Sequence, residues 1–160
     1  MDINAFLNRI AMLESSGGRN VNHQPVTRGV NAGQTAIGAY GMMPATIQET
    51  INRAKMSGRP LPEGYDDLDQ DSPQEMHQVL DNNPNLQKQL ASDLAQRILS
   101  RTGGNDIVGA YMWTNGQNLN PNAVTTRDLV NSPYAQKYNK LASQDNITAF
   151  LNRFVSDNDD

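Results

Sequence analysis

Asp2-Ile3-Asn4-Ala5-Phe6-Leu7-Asn8-Arg9-Ile10-Ala11-Met12-Leu13-Glu14-Ser15-Ser16-Gly17-Gly18 opens the chain, and its reading decides the fold. Ile3, Phe6, Leu7, Ile10 and Leu13 recur at the three- and four-residue spacing of one buried helical face. Asp2 is a natural N-cap, because its carboxylate can accept from an otherwise unpaired N–H of the first turn. The helix runs out at Ser15-Ser16-Gly17-Gly18, and residues 15–40, rich in Gly, Asn and Thr, carry no sustained periodicity and read as loop. Glu14 therefore stands where an apolar helix meets a loop. Burial against an apolar wall raises a carboxyl pKa, so such a group can hold a proton near neutral pH and deliver it to a leaving group. The plain alternative is a solvated helix-end residue, since most Glu side chains are exposed.

Working outward, the rest of the chain reads as nearly all helix. A second helix is predicted over 45–55, with Ile47, Ile51 and Ala54 on one side. Residues 57–71 are rich in Pro, Gly and Asp and read as loop. Ser72-Pro73-Gln74-Glu75 is a capping box with proline at the first helical position, and it opens a short helix to about Leu80. Asn83-Pro84 starts what reads as the longest helix, with Leu86, Leu90, Leu94 and Ile98 spaced by four, and Gly103-Gly104 ends it. Asn105 caps a buried helix through Ile107, Val108, Ala110 and Tyr111. Ser132-Pro133 opens another, with Tyr134, Tyr138 and Leu141 inward, and a separate last helix is predicted over 146–155. The expectation is an all-α single domain over 1–160. Its core is 1–145, and 146–160 form a C-terminal helix and a frayed acidic tail, Asp157 to Asp160.

Composition narrows the function. At 160 residues one domain with a real core is the default. The formal net charge of -4 argues against a nucleic-acid partner, which calls for a basic face, and gives no attraction to an anionic membrane or wall. There is no cysteine, so neither disulfides nor a thiolate metal site is expected. The N-terminus lacks the cationic and continuous apolar regions of a signal peptide, and no stretch approaches transmembrane length.

Three local patterns need a reading. Ile3-Asn4-Ala5-Phe6-Leu7-Asn8-Arg9-Ile10 is nearly repeated as Ile147-Thr148-Ala149-Phe150-Leu151-Asn152-Arg153-Phe154. Two copies do not make a repeat architecture, so two amphipathic helices with similar solutions are expected; symmetric packing of the terminal helices, or contact of the last one with another copy of the chain, is the alternative. Asp67-Leu68-Asp69-Gln70-Asp71 has the alternating carboxylates of a calcium loop, but Ser72 and Gln78 stand where that loop needs Gly and Glu, so it reads as a solvated acidic loop. His23 and His77 have no partner at metal-ligand spacing. No metal and no organic cofactor is expected.

Four strings in order carry a family likeness: Glu14-Ser15-Ser16-Gly17, Gly41-Met42-Met43, Ala110-Tyr111 followed by Asn115-Gly116, and Tyr134-Ala135-Gln136-Lys137-Tyr138. Together, over residues 3–142, they resemble the lytic transglycosylases of the soluble, goose-type-lysozyme-like group, phage-borne members above all. That family's pattern is Glu-Ser, Gly-Leu-Met-Gln, Ala-Tyr-Asn followed by Gly, and a late Tyr. Here Pro44 stands in place of the Gln and Met112 in place of the usual Asn, two residues that help hold the N-acetyl group of the sugar. Asn115-Gly116 also comes slightly late.

The resemblance implies a lysozyme-like helical fold with a substrate cleft. It further implies cleavage of the β-1,4 bond between N-acetylmuramic acid and N-acetylglucosamine in peptidoglycan, with Glu14 as the single acid and base. Ser15 would orient Glu14 or touch the sugar, unless it merely starts the turn. Met42, Met43 and Tyr111 would wall the acid, although all three also suit a core, and one Met packing inward while the other faces the cleft fits best. Trp113 would stack on a sugar or cover the core; Asn115 would line the sugar site. Tyr134 would hydrogen-bond near the acid, while Tyr138 suits the core. The implied partner is the glycan strand, met in the periplasm or cell wall after delivery by phage lysis, a virion or a dedicated secretion machine. A hydrolase of the same bond, with a second carboxylate from residues 63–81, and a non-catalytic binding or virion module are the alternatives.

Overall fold

The computed structural model describes residues 2–29 and 31–158, with side chains as far as Arg153. Eight α-helices follow one another among them: α1 (Ile3–Ser15), α2 (Pro44–Met56), α3 (Tyr65–Asp69), α4 (Pro73–Leu80), α5 (Pro84–Arg101), α6 (Asp106–Asn115), α7 (Thr126–Val130) and α8 (Pro133–Asn158). The fold class is all-α: among the described residues the β pairing is one isolated antiparallel bridge, Ile37 with Met42. No described helix is long and apolar enough to cross a membrane.

Local chemistry sets the helix starts. The Asp2 side chain accepts from Ala5 N–H. Ser72 and Glu75 close a reciprocal capping box at α4, and Asn83 and Asn105 accept from Leu86 and Val108 N–H at the starts of α5 and α6. At the end of α1, Ser16 takes a left-handed conformation while the N–H groups of Ser16 and Gly17 return to the carbonyls of Met12 and Ala11. That paired closure satisfies two orphan carbonyls and turns the chain sharply just after Glu14.

The core is one continuous cluster. α5 supplies its spine through Leu90, Leu94 and Ile98, and α1 lays Phe6, Leu7 and Ile10 against it. Gly109 of α6 is a close-approach point, since a Cβ there would stand 3.0 Å from Leu99 and 3.4 Å from Phe6. Tyr138 of α8 is fully buried; its ring lies 5.6 Å from that of Phe6, and its hydroxyl donates to Asp106 and accepts from Arg9. Burying these groups is what holds short helices that would be marginal alone.

Three expectations are corrected. Residues 65–69, read as part of an acidic loop, form α3, because Tyr65 and Leu68 are buried and Gly64 supplies the left-handed entry. Asp69 is consequently paired with Lys55 and Gln48 rather than solvated. The two helices expected after Ser132 are one, and α8, not α5, is the longest. No Gly or Pro interrupts residues 134–158, and Asp145, in the polar stretch read as a break, is held by Arg9 Nε at 2.7 Å. The α8 helix continues through Asp157 and Asn158, where fraying is expected, and Asp159 and Asp160 lie outside the described residues.

The repeated string also meets two fates. Phe6 and Leu7 are 0% and 1% exposed, whereas Phe150 and Leu151 are 65% and 52% exposed.

Candidate active site

Glu14 sits in the last turn of α1 and is half-buried. Its Oε1 accepts a hydrogen bond of 3.0 Å from the Tyr134 hydroxyl, in the first turn of α8. Burial pushes the Glu14 pKa above its ordinary value, while the Tyr134 hydrogen bond and the nearby His23 pull the other way. The negative end of the α1 dipole also disfavours charge at this position. The Tyr134 hydroxyl is itself pushed up, first by burial and then by Glu14, so it remains a donor.

The other wall is the turn 38–41. The paired N–H and C=O groups of Ile37 and Met42 close it, at 2.8 and 3.2 Å. Gly41 has a φ of +62°, and a Cβ on it would stand 2.3 Å from Glu14 Oε2. Glycine is therefore required there twice over, for the backbone and for the carboxyl group.

Three carbonyls of this turn, those of Gly38, Ala39 and Tyr40, are anchored by side chains. Ser15 Oγ lies 2.6 Å from Ala39 O and 3.0 Å from Ala11 O, and accepts from Gly18 N–H at 2.8 Å. Trp113 Nε1 donates to Tyr40 O at 3.0 Å, and His23 Nε2 lies 2.8 Å from Gly38 O as its donor. Gln87 reaches up from α5, accepting from Ala39 N–H at 3.0 Å and donating to Leu80 O at 2.6 Å. Paired backbone groups fix a turn that has no regular structure of its own.

Beside Tyr134 opens a cavity of about 580 Å³, lined by Leu13, Tyr111, Asn115, Asp128, Tyr134 and Lys137 among others. Tyr111, Asn115 and Tyr134 share this lining, and Glu14 joins it through its hydrogen bond to Tyr134. Asn115 is exposed and donates to Tyr111 O at 3.0 Å. Met43 is half-buried at the N-cap of α2.

Other residues named from sequence face elsewhere. Ser15 is 2% exposed and serves as the latch between α1 and the turn, with no open face for a sugar. Met42 belongs to the core, enclosed with Ile37, Ile47 and Leu90. Trp113 is engaged inward, its ring edge-on to Phe6 at 5.9 Å and its N–H spent on Tyr40. Pro44 and Met112 are likewise buried.

Sequence reasoning missed three positions. His23 and Gln87 carry no local signal, since their role is to hold backbone distant in sequence. Asp128 is a carboxylate on the cavity wall, whereas the acidic residues of 63–81 belong to α3, α4 and their connections. Asp128 accepts from Thr125 N–H as the third residue of a capping box, and those hydrogen bonds hold its pKa below the usual range. No group of three His, Cys, Asp or Glu among the described residues could hold a metal ion. Compared with protein-family models, curated proteins and solved structures, the chain matches none.

Proposed function

We propose that this chain is a peptidoglycan lytic transglycosylase on a lysozyme-like fold, cleaving the β-1,4 bond between N-acetylmuramic acid and N-acetylglucosamine. The observation that carries the reading is the half-buried carboxyl of Glu14. It lies between the Tyr134 hydroxyl and Gly41 with its pKa raised by burial, and its neighbours Leu13 and Tyr134 line an open cavity.

A carboxyl group so placed suits both proton transfers of one cycle. Protonated Glu14 gives its proton to the glycosidic oxygen as the bond to C1 breaks. The carbonyl oxygen of the substrate's own N-acetyl group bonds to C1, giving an oxazolinium ion. The Glu14 carboxylate then removes the C6 hydroxyl proton, and that oxygen closes on C1 as the oxazolinium opens. A 1,6-anhydro sugar leaves, no water is consumed, and Glu14 is again protonated. Tyr134 steadies the carboxylate halfway through, when charge on Glu14 is needed. The partner is the glycan strand, in the periplasm or wall, reached by phage lysis, a virion or a secretion machine.

One observation favours a second reading, hydrolysis of the same bond: Asp128 lines the cavity and would be the carboxylate that activates water. Its prior commitment to Thr125 N–H makes it the weaker base. Mass spectrometry of muropeptides released from purified peptidoglycan separates the readings. Anhydro products from wild type and none from Glu14→Gln, with both folded, are expected. Reducing-end products lost in Asp128→Asn would establish the hydrolase. No product from folded wild type would leave a binding or virion module.

A further inference from the structure

A second cavity, of about 360 Å³, lies between the C-terminal half of α2, the 57–62 loop and the C-terminal half of α5. It shares no lining residue with the cavity beside Tyr134. Arg53, Arg59 and Arg97 all line it, in a chain whose net charge is -4. Pro60, Pro62 and Leu94 give it an apolar flank.

Two of the guanidinium groups are held in place. Arg53 donates from Nε and Nη2 to Glu49 Oε1, at 3.2 and 3.0 Å. Arg97 lies 3.7 Å from the same oxygen and donates to Gln117 and Asn118, at 3.0 and 2.6 Å. Arg59 is exposed, and its side chain makes no ion pair or hydrogen bond with the described residues. Asp93 also lines the cavity, but its carboxylate is occupied by the Tyr65 hydroxyl and by Gln89.

Glu49 and Asp93 do not cancel the three cations, and Arg101 adds a further one beside Arg97. The field is felt at Arg97, whose pKa is lowered first by burial and then by Arg53 and Arg101, against the opposing pull of Glu49. The fixed forks of Arg53 and Arg97 are engaged by Glu49, Gln117 and Asn118, and the fork left to match the paired oxygens of a carboxylate or phosphate is that of Arg59.

We propose that this cavity binds a small ligand through an oxyanion, a carboxylate or a phosphate carried on an apolar or sugar body, with Arg59 as the contact that closes on it. Such a site is distinct from the Glu14 centre and does not depend on the reaction proposed there. Arg53 and Arg97 supply fixed positive charge, and Ser100 lies within the same lining, whereas the Ser57 hydroxyl already donates to Ala54 O at 2.6 Å.

The test is an amide NMR titration of the full chain with sodium phosphate and, separately, sodium acetate, at constant ionic strength. Saturable shifts confined to Ser57, Gly58, Arg59 and Ser100 are expected with at least one anion. Saturation by phosphate alone identifies a phosphoryl ligand, and by acetate alone a carboxylate. Arg59→Ala should weaken binding about tenfold, the loss of one charge-assisted hydrogen bond, while Arg127→Ala on α7 leaves it unchanged. Shifts that never saturate with either anion, or equal binding by Arg59→Ala and wild type, would overturn the proposal.

Discussion

Gly41→Ala puts a methyl group where the Glu14 carboxyl now lies, and its cost separates into two parts that can be measured apart. The first is backbone strain. Gly41 has a φ of +62°, and an L-residue in that left-handed region costs about 1–2 kcal/mol. Gly103 has nearly the same φ, +64°, with nothing within 4 Å of an added Cβ, so Gly103→Ala reports the strain alone. The second part is the collision. The new Cβ would stand 2.3 Å from Glu14 Oε2 and 2.7 Å from Cδ, so the carboxyl must retreat by about 1 Å to reach ordinary contact. Retreat lengthens the 3.0 Å hydrogen bond from Tyr134, which adds about 1–3 kcal/mol if the bond is lost. An acid displaced by about 1 Å loses on the order of 100-fold in rate. Urea denaturation and muropeptide release, run on both variants, are the assays. Gly103→Ala should lose stability alone; Gly41→Ala should lose more stability and nearly all activity. If the two variants were equally active, the placement of Glu14 against Gly41 would not matter and the site would be wrong.

Other expectations follow from the same contacts. Because burial raises the folded pKa of Glu14 above its unfolded value, ionising this group opposes folding. The contribution of Glu14 to stability should therefore fall as pH rises from the ordinary Glu range, near 4.5, to the raised value, and stay level beyond it. Glu14→Gln should melt above wild type at neutral pH, by about 2–4 °C for each kcal/mol relieved, and the gap should close below pH 4 in a calorimetric series. Tyr134→Phe removes a hydrogen bond that favours the carboxylate, so the alkaline limb of the pH–rate profile should move to higher pH; a limb that moves down would refute this role. Tyr138→Phe deletes a hydroxyl that donates to Asp106 and accepts from Arg9, at 3.0 and 3.1 Å, and should cost about 1–3 kcal/mol in urea denaturation with catalysis intact.

Much of the secondary structure was legible because its determinants are local. The caps at Asp2, Ser72, Asn83 and Asn105 act within one turn, and the spacing of Phe6, Leu7 and Ile10 or of Leu86, Leu90 and Leu94 is a property of the string itself. The errors arose where a local cue competed with a distant partner. A break is expected just before residue 146, but Arg9 holds Asp145 and the helix continues. Residues 65–69 read as loop, but Tyr65 and Leu68 gain enough from burial to fold one. In the site, the position of Glu14 at a helix end is visible and the resemblance puts Tyr134 near the acid, whereas nothing in the string shows that His23 or the close approach of Gly41 bears on it.

The repeated string shows where the division falls. Ala5-Phe6-Leu7-Asn8-Arg9 and Ala149-Phe150-Leu151-Asn152-Arg153 are identical in sequence, and both are helical, because backbone conformation follows from propensity and periodicity within the segment. Their environments are opposite. α1 packs against α5 and α8 and buries Phe6, while Phe150 near the far end of α8 remains exposed to solvent. The same holds for function: the sequence by itself determined that Glu14 ends an amphipathic helix. Only the tertiary structure decided its chemistry, because a pKa is set by what surrounds the carboxyl, and Tyr134 arrives 120 residues later.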